Sequence, residues 1–172
     1  MIGPVIGPVI GPVTGPAISL EIHRRPAVRS ATVDTTMLRR AVDLATQNAA
    51  AGQLPFGALV VRDGQVLAEG VNTALRDHDP AAHAEVAAVR AACRTLGVLH
   101  LTGAVIYSSC QPCPMCRAVS AVAGVGRIYY AALGADIPDL HYPAPDALAG
   151  VETEHVAVDG SAEPFARYLA GS

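Results

Sequence analysis

Between Thr35 and Gly52 the stretch "TTMLRRAVDLATQNAAAG" places Leu38, Val42 and Ala45, with Ala41 and Ala49, at helical spacing. Thr35 or Thr36 can cap this helix and Gly52 stops it. The period then changes. "FGALVVRDGQVLAEGVN" holds two short β-rich runs around Asp63-Gly64, a dipeptide that tolerates positive φ, and this predicts a hairpin. "DPAAHAEVAAVRAACRTLG" is helical again, with Asp79 and Pro80 at its start, Gly97 at its end and a stripe of Val86, Val89 and Leu96. "GAVIYSS" reads as a buried strand, "PMCRAVSAVAG" as a helix opened by Pro114, and "RIYYAAL" as another buried strand. Farther on, "DIPDLHYPAPDALAG" is loop with one helical turn, "TEHVAVD" a strand and "EPFARYLA" a final short helix. The order α-β-β-α-β-α-β predicts an α/β fold, a helix-sheet-helix sandwich whose sheet begins with an antiparallel hairpin and continues in parallel.

The N-terminal stretch "MIGPVIGPVIGPVTGPAISL" is apolar but carries Pro4, Pro8, Pro12 and Pro16. Proline at that spacing removes helix hydrogen bonds and fixes φ, so neither a membrane helix nor the apolar core of a signal peptide can form there. The expectation is an unstructured tail over residues 1–34 and one domain over 35–172. No basic segment precedes the repeat, which predicts a cytoplasmic protein whose cysteines are reduced. No run of 18 or more apolar residues free of helix breakers predicts a membrane span.

Composition narrows the chemistry. The chain has 172 residues, 51% hydrophobic and 4% aromatic, enough for one ordinary domain with a real core. All 12 basic residues are arginine, so lysine Schiff-base chemistry is excluded. A net charge of -3 with no arginine cluster between Phe56 and Asp136 argues against a nucleic-acid surface. Arg24, Arg25 and Arg29 read as a solvated tail.

Three of the four cysteines fall in "SSCQPCPMC", residues 108–116. Cys113 and Cys116 are three apart across the first turn of a helix, so their sulfurs face one side, and the helix N-terminus favours thiolate. "HAE", residues 83–85, opens the other helix, and the 26 residues between Glu85 and Pro112 accommodate one helix, one turn and one strand. A right-handed crossover brings both helix starts to the same end of the sheet. His83, Cys113 and Cys116 can then hold one Zn2+ with a fourth position open, the mark of a catalytic site. Positions 83 and 85 lie about 200° apart on an ideal helix, yet at its first turn both side chains can reach over the end. Zinc lowers the pKa of a water bound to it, and Glu85 beside that water can move its proton to a leaving amine.

H-x-E…P-C-x-x-C is the established signature of zinc nucleobase deaminases. With "PFGALVV", "EGVN", "DPAAHAEVAAVRAAC" and "YSSCQPCPMC", the chain resembles the cytidine-deaminase-like superfamily, and within it guanine deaminases and related nucleoside and tRNA adenosine deaminases. The resemblance runs from about Phe56 to Asp136. It implies a three-layer α/β/α sandwich around a five-stranded mixed sheet, a homodimer, zinc on His83, Cys113 and Cys116, and proton transfer by Glu85. It further implies that Asn72 hydrogen-bonds the base, that Phe56 lines the pocket and that the backbone around Ala84 reads a base edge. Glutamate usually stands where this chain has Gln111, which would alter the surroundings of the metal without removing a ligand. Guanine deaminases also carry an acidic pair after the last matched strand, where this chain reads "HYPA"; Asp136, Asp139 or Asp146 could substitute. Tyr168, in the C-terminal "EPFARYLA", stands where an aromatic residue closes the pocket in those enzymes.

The expected activity is hydrolytic deamination of an amino-purine or amino-pyrimidine, free or as a nucleoside. A tRNA adenosine deaminase is the alternative, and a non-catalytic, zinc-stabilised binding protein is a third reading. Cys110 could complete a Cys₃His structural zinc, or form a redox C-x-x-C pair with Cys113. Cys93 reads as a buried small hydrophobe, and His23, His78, His100, His141 and His155 as solvated side chains.

Overall fold

The computed structural model describes residues 33–140 and 163–170. The N-terminal repeat and the strand expected over 153–159 lie outside the described residues.

Helix α1 spans Thr35–Ala50. Its cap is Asp34 rather than either threonine: the Asp34 carboxylate accepts from the Thr36 N–H at 2.9 Å. The buried face is Ala41, Ala45 and Asn48, whereas Val42 is exposed. Strands β1 (Gly57–Arg62) and β2 (Gln65–Val71) form the expected hairpin, and Asp63 and Gly64 turn it at φ 52° and 76°. A bulge between Val60 and Val61 shifts the pairing from Val60↔Ala68 to Val61↔Val66.

A short helix α2 (Ala74–Asp77) follows, which the sequence pattern does not announce. Helix α3 covers Ala84–Leu96. It therefore begins later than Asp79-Pro80 suggests, because His83 takes the extended cap conformation, and it ends at Gly97 with φ 65°. Strand β3 (Val105–Cys110), helix α4 (Pro114–Val122) and strand β4 (Arg127–Ala132) complete the body, and α5 is Glu163–Ala170.

Among the described residues the sheet has four strands, in the order β2-β1-β3-β4, where the resemblance implies five. β1 runs antiparallel to both neighbours, and β3 pairs in parallel with β4. Gly57–Val61 is buried without interruption because both faces of β1 are covered. Ala58 and Val60 pack with Ile106, Ala84, Ala88 and Ala92. Leu59 and Val61 pack instead with Ala41 and Tyr107, and Leu38 and Tyr129 rest against that cluster. Side-chain alternation along one strand thus divides the core between α3 on one face and α1 on the other.

Two glycines set how closely the helices lie. A Cβ on Gly57 would stand 2.8 Å from the Ala45 nitrogen in α1, and one on Gly70 would stand 3.0 Å from Ala88 Cα in α3. The register Ala58↔Ser108 and Cys110↔Ala132 brings the start of β1 and the ends of β3 and β4 to one edge. Both α3 and α4 start at that edge, which is where α/β sheets commonly place their sites.

Candidate active site

His83 and Cys113 are the N-caps of α3 and α4. Both are extended, at φ/ψ of -74°/156° and -67°/166°, and neither side chain spends itself on a cap hydrogen bond. They turn instead toward a common point, where Cys116, one turn into α4 and almost fully buried, joins them. His83 Nδ1 stands 3.6 Å from Cys113 Sγ and 3.5 Å from Cys116 Sγ. A tetrahedral zinc with Zn–N near 2.0 Å and Zn–S near 2.3 Å needs its N and S ligands about 3.5 Å apart. The three donor atoms fit that ion. Nε2 of His83 is buried and has no partner among the described residues.

Electrostatics point the same way. Burial raises the Cys116 thiol far above its ordinary value, and the Glu85 carboxylate and Cys113 push it further. These outweigh the thiolate stabilisation expected from the helix end, so Cys116 would act as a thiolate only with a cation beside it. Cys110 is a thiol raised mainly by burial, and it stands outside the three-residue cluster. That arrangement speaks against the Cys₃His reading.

Glu85 sits in the first turn of α3 and is buried. Its Oε1 accepts from Ser108 Oγ at 3.1 Å, and its Oε2 accepts from the Cys116 thiol at 3.3 Å. A thiolate bound to metal could not donate, so zinc held by His83, Cys113 and Cys116 would leave Glu85 Oε2 free to accept from a water. Asn72 is buried; its Oδ1 accepts from the Ala74 N–H at 3.0 Å, and its Nδ2 makes no hydrogen bond among the described residues. Its N–H donates to the Phe56 carbonyl at 3.1 Å.

A cavity of about 340 Å³ lies over these groups, within the span of small-ligand sites. Phe56, Asn72, His83, Glu85 and Cys113 line it, which brings together most of the residues singled out in the sequence. Ala84 is not among the lining residues: its methyl belongs to the core at the first residue of α3, and the base-edge role expected there is one for its backbone. Asp136 lies in a 3₁₀ turn, Gly134–Asp136, where its Oδ2 accepts from the Leu133 N–H at 3.0 Å. It faces a neighbouring depression, whereas Asp139 lines the cavity itself. Tyr168 is on α5, largely exposed, and does not line the cavity. Cys93 is half-buried against the α3 core rather than fully enclosed.

Sequence reasoning missed Leu54, Ser108 and Asn48. A serine in an otherwise apolar buried strand was a usable signal for Ser108. Asn48 carried none beyond its helical register, since its partners lie on other segments.

The family model for the cytidine and deoxycytidylate deaminase zinc-binding region matches residues 31–132, and the chain belongs to this family. It is 47% identical over 98 residues to a guanine deaminase of Bacillus subtilis, covering 56% of this chain and 63% of the relative. To a tRNA-specific adenosine deaminase of Agrobacterium fabrum it is 42% identical over 80 residues, covering 46% of this chain and 53% of the relative. The chain thus spans somewhat over half the length of these curated relatives. The crystal structure of guanine deaminase from Bacillus subtilis superposes with a TM-score of 0.66 at 35% identity, covering 80% of this chain and 94% of that one. The fold is α/β with a mixed sheet, and within this zinc-binding region His83, Cys113 and Cys116 are candidate ligands.

Proposed function

We propose that the protein is a zinc aminohydrolase that replaces the exocyclic amine of a nucleobase or nucleoside, of the guanine type, by oxygen, consuming water and releasing ammonia. The observation that carries this reading is the pre-formed His83–Cys113–Cys116 cradle with buried Glu85 beside it on the wall of one cavity. Zinc held there supplies a water acidic enough to act as nucleophile near neutral pH. Glu85 would take one proton from that water and give it to a ring nitrogen, which keeps it, and would then carry the second, from the new C–O–H group, to the amine, which leaves as ammonia. Ser108 fixes the carboxylate for both transfers. Asn72, with Oδ1 committed to Ala74, offers its Nδ2 hydrogens to an acceptor on the base. Phe56 and Leu54 would present apolar surface to the ring, and Asp139 in the cavity or Asp136 beside it would supply the base-facing acid.

The finer expectations belong with this reading. They include the three-layer α/β/α sandwich around a five-stranded sheet that the resemblance implies. The enzyme would act as a cytoplasmic homodimer, in keeping with four cysteines that are all free thiols. No helix among the described residues is long and apolar enough to cross a membrane. The relationship to tRNA-specific adenosine deaminases supports a second reading, but a net charge of -3 offers little to a phosphate backbone.

Ammonia release from zinc-loaded protein tests the proposal, against guanine, guanosine, deoxyguanosine, adenine, adenosine, cytosine and cytidine. Release from a guanine-type member, lost in Glu85→Gln with zinc retained, is the expected result. Deamination of a tRNA anticodon substrate alone would favour the second reading. Zinc binding without turnover of any substrate would sink both.

A further inference from the structure

Gln111 stands between Cys110, in the cavity wall, and the Pro112–Cys113 entry to the zinc helix. The resemblance assigns this position to the surroundings of the metal. It lines the same cavity as His83 and Cys113, and its side chain reaches the opposite wall: Gln111 Oε1 accepts from the Gly134 N–H at 2.9 Å. Its main chain holds the same stretch, since the Gln111 N–H donates to the Ala132 carbonyl at 2.9 Å. Gly134 begins the 3₁₀ turn, and Ile137, Pro138, Asp139 and Leu140 directly after it form one wall of the cavity. The approach is close, for a Cβ on Gly134 would stand 3.1 Å from Gln111 Oε1. A carboxamide oxygen accepts from this N–H as a carboxylate would, without adding charge to a cavity that already holds Glu85 and Asp139.

We infer that Gln111 is a positioning residue that ties the base-facing wall, Gly134–Leu140, to the zinc loop. It thereby governs how well a base is held, and not how the metal is held or the proton moved. The inference rests on the reading of this cavity as the base site, but the tether itself can be observed without any substrate.

The test is amide exchange at Gly134, followed by NMR on the zinc-loaded protein, together with zinc content and steady-state kinetics on whichever base the unsubstituted enzyme turns over. Loss of one neutral hydrogen bond corresponds to about a two- to tenfold change in an equilibrium. Gln111→Leu should therefore speed exchange at Gly134 by about two- to tenfold and raise KM by a similar factor. It should leave kcat within about twofold, because Glu85 and the ligands are untouched, and zinc should remain bound. Gln111→Glu, which keeps the acceptor, should restore the protection and bring KM back toward its original value.

Gly134→Pro removes the donor from the other side, and Leu133 is already in the extended conformation that precedes proline, at φ/ψ -74°/153°. Combined with Gln111→Leu, which removes the Oε1 that a Cβ at 134 would crowd, it should raise KM no more than Gln111→Leu alone does, because both delete the same bond. Unchanged exchange at Gly134 in Gln111→Leu would overturn the tether. Lost zinc, or a fall in kcat at constant KM, would return Gln111 to the metal's surroundings. Should the unsubstituted enzyme act on no base, the functional reading fails by itself, and the exchange rates still decide the tether.

Discussion

Asn48, on the last turn of α1, donates from Nδ2 to the main-chain carbonyl of Asn72 at 2.7 Å. The same nitrogen also donates to the Leu54 carbonyl at 2.7 Å, so one buried amide clamps two segments that line the cavity. Asn48→Ala leaves two buried carbonyls without this donor, and each such loss costs about 1–3 kcal/mol. The expected outcome is a drop in denaturant stability of that order together with a raised KM, because Asn72 loses its backbone support. Asn48→Asp should be worse, since a carboxylate facing two carbonyls repels both. Urea unfolding and KM on the same samples check this; an unaltered KM would show that the clamp serves folding alone.

Ser108 holds Glu85 Oε1 at 3.1 Å from the adjoining strand. Ser108→Ala removes an orienting donor but leaves the proton-carrying group. The expected fall in kcat is about tenfold or less, the scale of one hydrogen bond. Glu85→Gln, by contrast, removes the proton carrier and should cost about 10²–10⁴. Comparing single-turnover rates of the two variants, both with zinc bound, separates orientation from transfer. Equal losses would mean that Ser108 itself touches the reacting atoms.

The candidate ligand cluster was legible because its chemistry is local: Cys113 and Cys116 share one helical turn, and His83 marks the start of a periodic segment. The hairpin at Asp63-Gly64 was legible for the same reason, with both residues at positive φ. What the sequence concealed is tertiary. Asn48 reaches a residue 24 positions away, and Gln111 one 23 positions away, and no periodicity connects such partners. A 3₁₀ turn bonds Asp136 to the Leu133 N–H, whereas Asp139 lines the cavity. Position alone could not distinguish two aspartates in one loop.

The Cys116 thiol has a sign-defined consequence for stability. Burial raises it in the folded, metal-free chain above the ordinary 9.0. A group raised on folding keeps its full contribution below the unfolded value and loses it as pH rises, because the unfolded chain releases a proton that the folded one retains. Metal-free protein should therefore lose stability above about pH 9. Zinc-loaded protein should not show that limb, since the bound thiolate is already deprotonated, and zinc affinity should weaken as pH falls. Thermal melts across pH 7 to 10, with and without chelator, would read this; parallel profiles for the two forms would contradict it.

Gly70 links core packing to the chemistry. A Cβ there would overlap the Ala84 carbonyl oxygen and the Ala88 nitrogen, and it would stand 3.0 Å from Ala88 Cα, all in the backbone of α3. Backbone cannot swing aside as a side chain can, so Gly70→Ala must push the first turns of α3 away from β2. That movement carries His83 and Glu85 with it, because they are the cap and an early residue of the same helix. Overpacking of this kind costs about 1–3 kcal/mol. Zinc affinity and kcat should fall together with stability. Gly64 provides the contrast: it lies in the hairpin turn at φ 76° with nothing within 4 Å, so alanine there is strained by its backbone alone. Gly64→Ala should cost about 1 kcal/mol or somewhat more and leave zinc affinity and turnover as they were. Equal stability losses in the two variants, with zinc affinity and turnover preserved in both, would show that α3 shifts without disturbing the cradle.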